Sequence, residues 1–125
     1  MIGLDKKYLA KHGIDADKIK ALIPISGQTN THYTIRKERG MPMDIPFVDE
    51  YAPLNCARKQ APPTLLISGD RDMEMTARYE ENLHLYAILK SMGNKVDIYE
   101  IAGFNHGNVV VPGCLLIPDF IKSLE

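Results

Sequence analysis

Cysteine is scarce: Cys56 and Cys114 are the only two, too few for a disulfide framework. Charge of one sign is absent as well. Lys plus Arg number 15 and Asp plus Glu 16, for a net charge of −1. That balance leaves no electrostatic footprint for nucleic acid and no polybasic patch for anionic lipid. No apolar run approaches the ~20 residues of a membrane span, and Met1 to Lys7 has no basic-then-apolar leader pattern. Internal repeats and low-complexity tracts are lacking too. What is present is ordinary for a globular chain of one domain: 125 residues, 45% apolar and 25% charged.

The chain reads as alternating strands and helices. Asp5–His12 is expected to form a short helix ended by Gly13. Ile19–Ser26, IKALIPIS, is a nearly unbroken apolar run, as in a parallel strand buried on both faces, with Pro24 costing it a ladder donor. Gln28–Gln60 has no clean period and contains Pro42, Pro46 and Pro53. A stretch of this length without regular elements points to a functional excursion, with short helical turns near 34–39 and 54–58.

Beyond Pro62-Pro63, Thr64–Ser68 (TLLIS) reads as a second buried strand. Glu74–Met92 is the best helix, with Leu85, Ile88, Leu89 and Met92 on one side and Gly93 as its stop. Lys95–Ile101 alternates like a third strand, and Pro118–Leu124 closes with a short helix. The layout predicts an α/β fold with about three parallel strands and flanking helices. Three strands make a thin sheet, so the apolar strand 19–26 is expected to lack a neighbour.

Ligands of open parallel sheets sit beyond the carboxyl ends of the strands. Three loops occupy that edge: Gly27–Thr31, Gly69–Glu74 and Ala102–Asn108. They carry Asp70, Asp72 and His106. A carboxylate that accepts the imidazole Nδ1–H fixes its tautomer and frees the other nitrogen to deprotonate a nucleophile. Taken alone, a Gly-Asp-x-Asp turn also caps helices, and a single histidine in a Gly-rich loop is also a solvated one.

The segment PPTLLISGDRD, followed by a helix ending LKSMGNKVDIYEIAGFNHG, resembles the C-terminal part of α/β-hydrolases. The likeness is to the esterase/lipase branch with acetyl esterases and kynurenine-formamidase-like enzymes. The upstream stretch LDKKYLAKHGIDADKIKALIPISG is similar to the same branch, so the resemblance covers nearly the whole chain. It implies a Gly-x-x-Asp turn at Gly69–Asp72 with Asp72 as triad acid, and a Gly-x-x-His turn at Gly103–His106 with His106 as triad base. It implies a small ester or amide substrate and no cofactor, and it makes 1–125 the C-terminal segment of an α/β-hydrolase domain, with a cap-like excursion at 28–60.

The nucleophile pattern Gly-x-Ser-x-Gly does not occur. Around Ser26, Pro24 and Gln28 replace both glycines. The oxyanion-hole turn is missing as well. The chain is therefore expected to be a hydrolase segment that supplies acid and base, inactive by itself, and to self-associate or pair with a missing N-terminal half. The alternatives are a non-catalytic truncated α/β interaction module and a flavodoxin-like ligand domain, for which Gly27–Thr31 is a poor phosphate loop. Asp70-x-Asp72 lacks the pattern of a dehalogenase-type phosphatase, since Gly69 intervenes and Glu74 replaces threonine. His12, His32, His84 and His106 with the two cysteines have no metal-ligand spacing. Asn30, His32 and Tyr33 are candidates for lining a pocket or for a plain loop.

Overall fold

The fold was described from a computed structural model covering all 125 residues. Its centre is a pair of parallel strands, β1 (Thr64–Gly69) and β2 (Val96–Ile101), in a register that sets Thr64 opposite Val96 and Gly69 opposite Ile101. The helix α3 (Arg78–Ser91) crosses between them. Every residue of β1 is buried, because both faces of the strand are covered. Leu66 points to one side, where Leu85 and Leu89 of α3 join Leu4 and Val96. Leu65 and Ile67 point to the other, against Val109 and Phe120. The period-two alternation of a strand thus divides one apolar run between two cores.

The apolar run 19–26 lies along the outer edge of β1, not buried on both faces as its composition suggests. It pairs in parallel only through isolated bridges, Leu22 with Thr64 and Ile25 with Ile67. Leu22 and Ser26 donate their N–H groups to Pro63 and Ile67. Pro24 has no N–H to donate, and its carbonyl accepts from Ile67 instead. The residues 21–25 are half-buried rather than covered on both faces. On the side away from β1, the backbone groups of Ile23 and Ile25 have no hydrogen-bond partner in the chain.

Several elements differ from the sequence expectation. The N-terminal helix is a single turn, α1 (Lys7–Ala10), with Asp5 accepting the Lys7 N–H and Gly13 at φ +69 behind it. The long helix starts at Arg78, not Glu74, because Ala77 adopts φ 60 and cannot continue a right-handed helix. A helix, α4 (Val110–Leu115), forms across Pro112 and Gly113, followed by α5 (Ile117–Lys122). Gly113 allows α4 to approach the sheet: a Cβ there would stand 3.3 Å from Ile67 and 3.4 Å from Ile25.

The excursion 28–60 contains α2 (Tyr33–Glu38) and a 3-10 turn at Pro53–Cys56. Polar links hold it in place of a core. Buried Arg36 donates to the carbonyls of Met43 and Ile45, and Asp49 accepts from Thr31 and pairs with Arg39. No helix is long and apolar enough to cross a membrane.

Candidate active site

The carboxyl ends of β1, β2 and the 22–25 segment converge on three loops. Gly69 lets the first two of them touch. Its N–H donates to Glu74, while Asp70 N–H donates to the Phe104 carbonyl at 2.8 Å. Asp70 Oδ2 accepts the Gly103 N–H at 2.8 Å, sewing the 70–74 turn to the 103–107 turn. Arg71 adds a clamp. It forms a two-pronged pair with Glu100 at 2.9 and 2.6 Å, and its guanidinium lies 4.2 Å from the Tyr79 ring centre.

His106 stands on this platform, about half exposed. Its Nδ1 lies 3.1 Å from Glu74 Oε2 and 2.8 Å from Ser26 Oγ. The Ser26 hydroxyl also donates to Glu74 Oε1. An unprotonated Nδ1 would present its lone pair to a carboxylate, so these contacts call for a proton on Nδ1, supplied by the neutral Nδ1–H tautomer or by the imidazolium. Nδ1–H then faces both oxygens, and the Ser26 proton goes to Glu74. Nε2 has no hydrogen-bond partner in the chain.

The structure does not bring Asp72 to His106. Asp70 Oδ1 accepts the Asp72 N–H at 3.0 Å, and Asp70 O accepts the N–H groups of Met73 and Glu74. This closed turn puts Asp72 at its outer corner, exposed and with no side-chain hydrogen bond. The carboxylate reaching His106 comes two residues later. The Glu74 side chain is fully shielded from solvent, whereas Met73 and Met75 on either side are exposed. A carboxylate turned in between two methionines turned out inverts the usual order of burial, and the residue types at 73–75 give no sign of it.

Burial opposes ionisation of Glu74. The Ser26 hydroxyl, the N–H groups of Met75 and Gly69, and His106 outweigh it and hold the carboxyl below the ordinary carboxylate range. The same competition is more one-sided at Glu100, which its pairing with Arg71 lowers to about 2. A carboxyl depressed on folding contributes stability above its unfolded value and loses it as pH falls through the folded one. Carbon-detected titration of Glu100 should therefore show a midpoint near 2. The Arg71 clamp should remain closed at a pH where unpaired carboxylates are already protonated. A Glu100 midpoint in the ordinary carboxylate range would mean the clamp is open in solution.

Sequence reasoning also missed the first turns of α3. Arg78, Glu81 and Asn82 are buried there, and all three face the loop after Ser26. Arg78 donates to the Ser26 carbonyl, Asn82 to the Gly27 carbonyl, and Glu81 accepts from the N–H groups of Thr29 and Asn30. Beside this seam lies a cavity of about 720 Å³ whose walls include Gln28, Asn30, Tyr33, Ile45 and Met75. Asn30 and Tyr33 thus line a pocket. His32 does not; it caps α2 by accepting the Thr34 N–H.

No protein-family model matches the chain, and no curated protein matches it. Solved structures do. Esterase 2 of Thermogutta terrifontis, in a form phosphoramylated by tabun, superposes with a TM-score of 0.66 at 17% identity, over 90% of this chain and 44% of that one. The Pyrobaculum calidifontis esterase gives 0.58 at 15% identity, over 98% and 47%. An esterase of Rhizomucor miehei gives 0.59 at 18% identity, over 98% and 46%. The chain therefore spans less than half the length of the esterases it matches, and it shares the α/β fold of the part of them that it covers.

Proposed function

We propose that this chain is the base-bearing part of a carboxylic-ester hydrolase, acting on small esters or amides, with His106 as general base and Glu74 as the carboxylate that orients it. The observation that carries this reading is the shielded Glu74 carboxylate on Nδ1 of a half-exposed histidine whose Nε2 is open. Asp72, the acid that the turn motif implies, has the same loop but no contact with the ring. In the reaction, Nε2 takes the proton of a serine hydroxyl as its oxygen bonds to the substrate carbonyl carbon. The imidazolium then returns that proton to the departing alcohol or amine, and water repeats the sequence to free the acid. The reaction needs a serine in a Gly-x-Ser-x-Gly turn and oxyanion donors, patterns this sequence does not contain. A propionate-bound form of the Thermogutta esterase 2 supports short acyl groups as the first substrates to try. The 28–60 excursion, cap-like beside its cavity, is the wall that would meet them.

Two measurements test this. Nitrogen NMR of the chain should show His106 as the Nδ1–H tautomer; an Nε2–H ring would overturn its role as base. The second uses a polypeptide in which a Gly-x-Ser-x-Gly segment is joined ahead of Met1. It should hydrolyse short p-nitrophenyl esters, and His106→Ala should lower kcat by roughly 10³-fold or more. Glu74→Ala should follow it, while Asp72→Ala should retain most activity; the reverse order would move the acid to Asp72. The 125-residue chain alone should show no turnover above its His106→Ala variant.

The unpartnered backbone groups of Ile23 and Ile25 favour a second strand alongside, from the N-terminal part of such an enzyme or from a second copy. A non-catalytic module would use the same edge, and a self-associating chain with the wrong His106 tautomer would favour that reading.

A further inference from the structure

Ser26 ends the apolar segment in a conformation that a residue with a side chain seldom takes, φ 54. The surrounding structure holds it there. Its N–H donates to the Ile67 carbonyl at 2.7 Å, its own carbonyl accepts from Arg78 at 2.5 Å, and the residue is only 5% exposed. Neither backbone bond needs a serine, yet the side chain reaches both Glu74 and His106.

We propose that Ser26 is a positioning residue, whose hydroxyl pins one oxygen of Glu74 so that the other faces His106 Nδ1. The proposal rests on the reading of His106 and Glu74 given above and adds a third member to their arrangement. A glutamate has one more rotatable bond than an aspartate, so a carboxylate used to orient a ring needs a second anchor. Oε1 receives that anchor from Ser26 and from the Gly69 N–H, and Oε2 is left for the ring and the Met75 N–H.

A nucleophilic role fits the geometry less well. A nucleophile must face the imidazole nitrogen opposite the one that its carboxylate holds. Ser26 Oγ lies on Nδ1, the same nitrogen as Glu74, and its single proton is directed to the carboxylate. Its burial also keeps a substrate carbonyl away.

The test compares Ser26→Ala and Ser26→Gly with the unaltered chain, following the Glu74 carboxyl carbon through an NMR titration. The hydroxyl is the foremost contact holding that carboxyl down, ahead of the backbone N–H groups. Both variants should therefore move the Glu74 midpoint upward and disturb the His106 ring signals. Glycine accepts a positive φ freely. A serine needed only for the turn would be replaced by glycine without any change at Glu74, and that result would overturn the proposal. So would a fluorophosphonate adduct on Ser26, which would make it a nucleophile. None of these readouts needs turnover. A shifted Glu74 together with a longer, hydrolytically active polypeptide indifferent to His106→Ala would leave the coupling standing and discard the catalytic reading alone.

Discussion

Arg78→Met should destabilise the chain by about 3–5 kcal/mol, the cost of breaking a buried ion pair from one side. Arg78 and Glu81 are both nearly inaccessible, with Nε 2.7 Å from Oε1. Removing the guanidinium leaves the Glu81 charge shielded from water and the Ser26 carbonyl without its donor. The effect should be local as well as global. Thr29 and Asn30, whose N–H groups bond to Glu81, should exchange their amide hydrogens faster than β1 does. Adding Glu81→Gln to Arg78→Met removes the stranded charge and should recover part of the loss. Urea unfolding measures all three. A loss below about 1 kcal/mol for Arg78→Met would mean that water reaches the pair.

Gly69→Ala should be the most damaging single-methyl change at the site. A Cβ at this position would stand 2.3 Å from the Phe104 carbonyl oxygen and 3.2 Å from Glu74 Cγ. The first contact is with backbone, which has no rotamer to yield, so the two turns must separate. Overpacking of this kind costs about 1–3 kcal/mol. Separation would also draw His106 from Glu74, because the histidine rides on the Gly103–Gly107 turn. The Glu74 midpoint should then rise along with the loss of stability. An unfolding midpoint and a Glu74 titration like those of the unaltered chain would show that the two turns have slack.

The elements that could be read from the sequence are those whose burial follows a period. Thr64–Gly69, with apolar residues on both faces, and Leu85 and Leu89 one helical turn apart, sit where the pattern puts them. Ile19–Ser26 was legible as an apolar strand but not as an irregular one at the edge of β1, since pattern alone does not say how far Pro24 loosens a ladder. The helix α4 was not legible, because Pro112 and Gly113 are the residues that ordinarily mark a turn. At the site, the loops followed from the strand ends and His106 from its turn. The partner of His106 did not. Ala77 at φ 60 decides where α3 begins, and so whether Glu74 points along a helix or back to the sheet. Nothing in the residue type alanine announces that angle. The buried Arg78, Glu81 and Asn82 were equally hidden, because they look like the polar face of an exposed helix.

The three side chains that meet at Glu74 also carry a kinetic meaning. Ser26 and Glu74 are 48 residues apart, Glu74 and His106 32, and Ser26 and His106 80. None of these meetings can occur through local chain motion. Each waits for a parallel pairing that must first close a long loop. The share of the Glu74 depression that Ser26 and His106 supply thus depends on the finished topology, unlike the share from its chain neighbours Met75 and Gly69. Followed in time after dilution from urea, that share should appear only once the parallel segments carrying the three residues have paired.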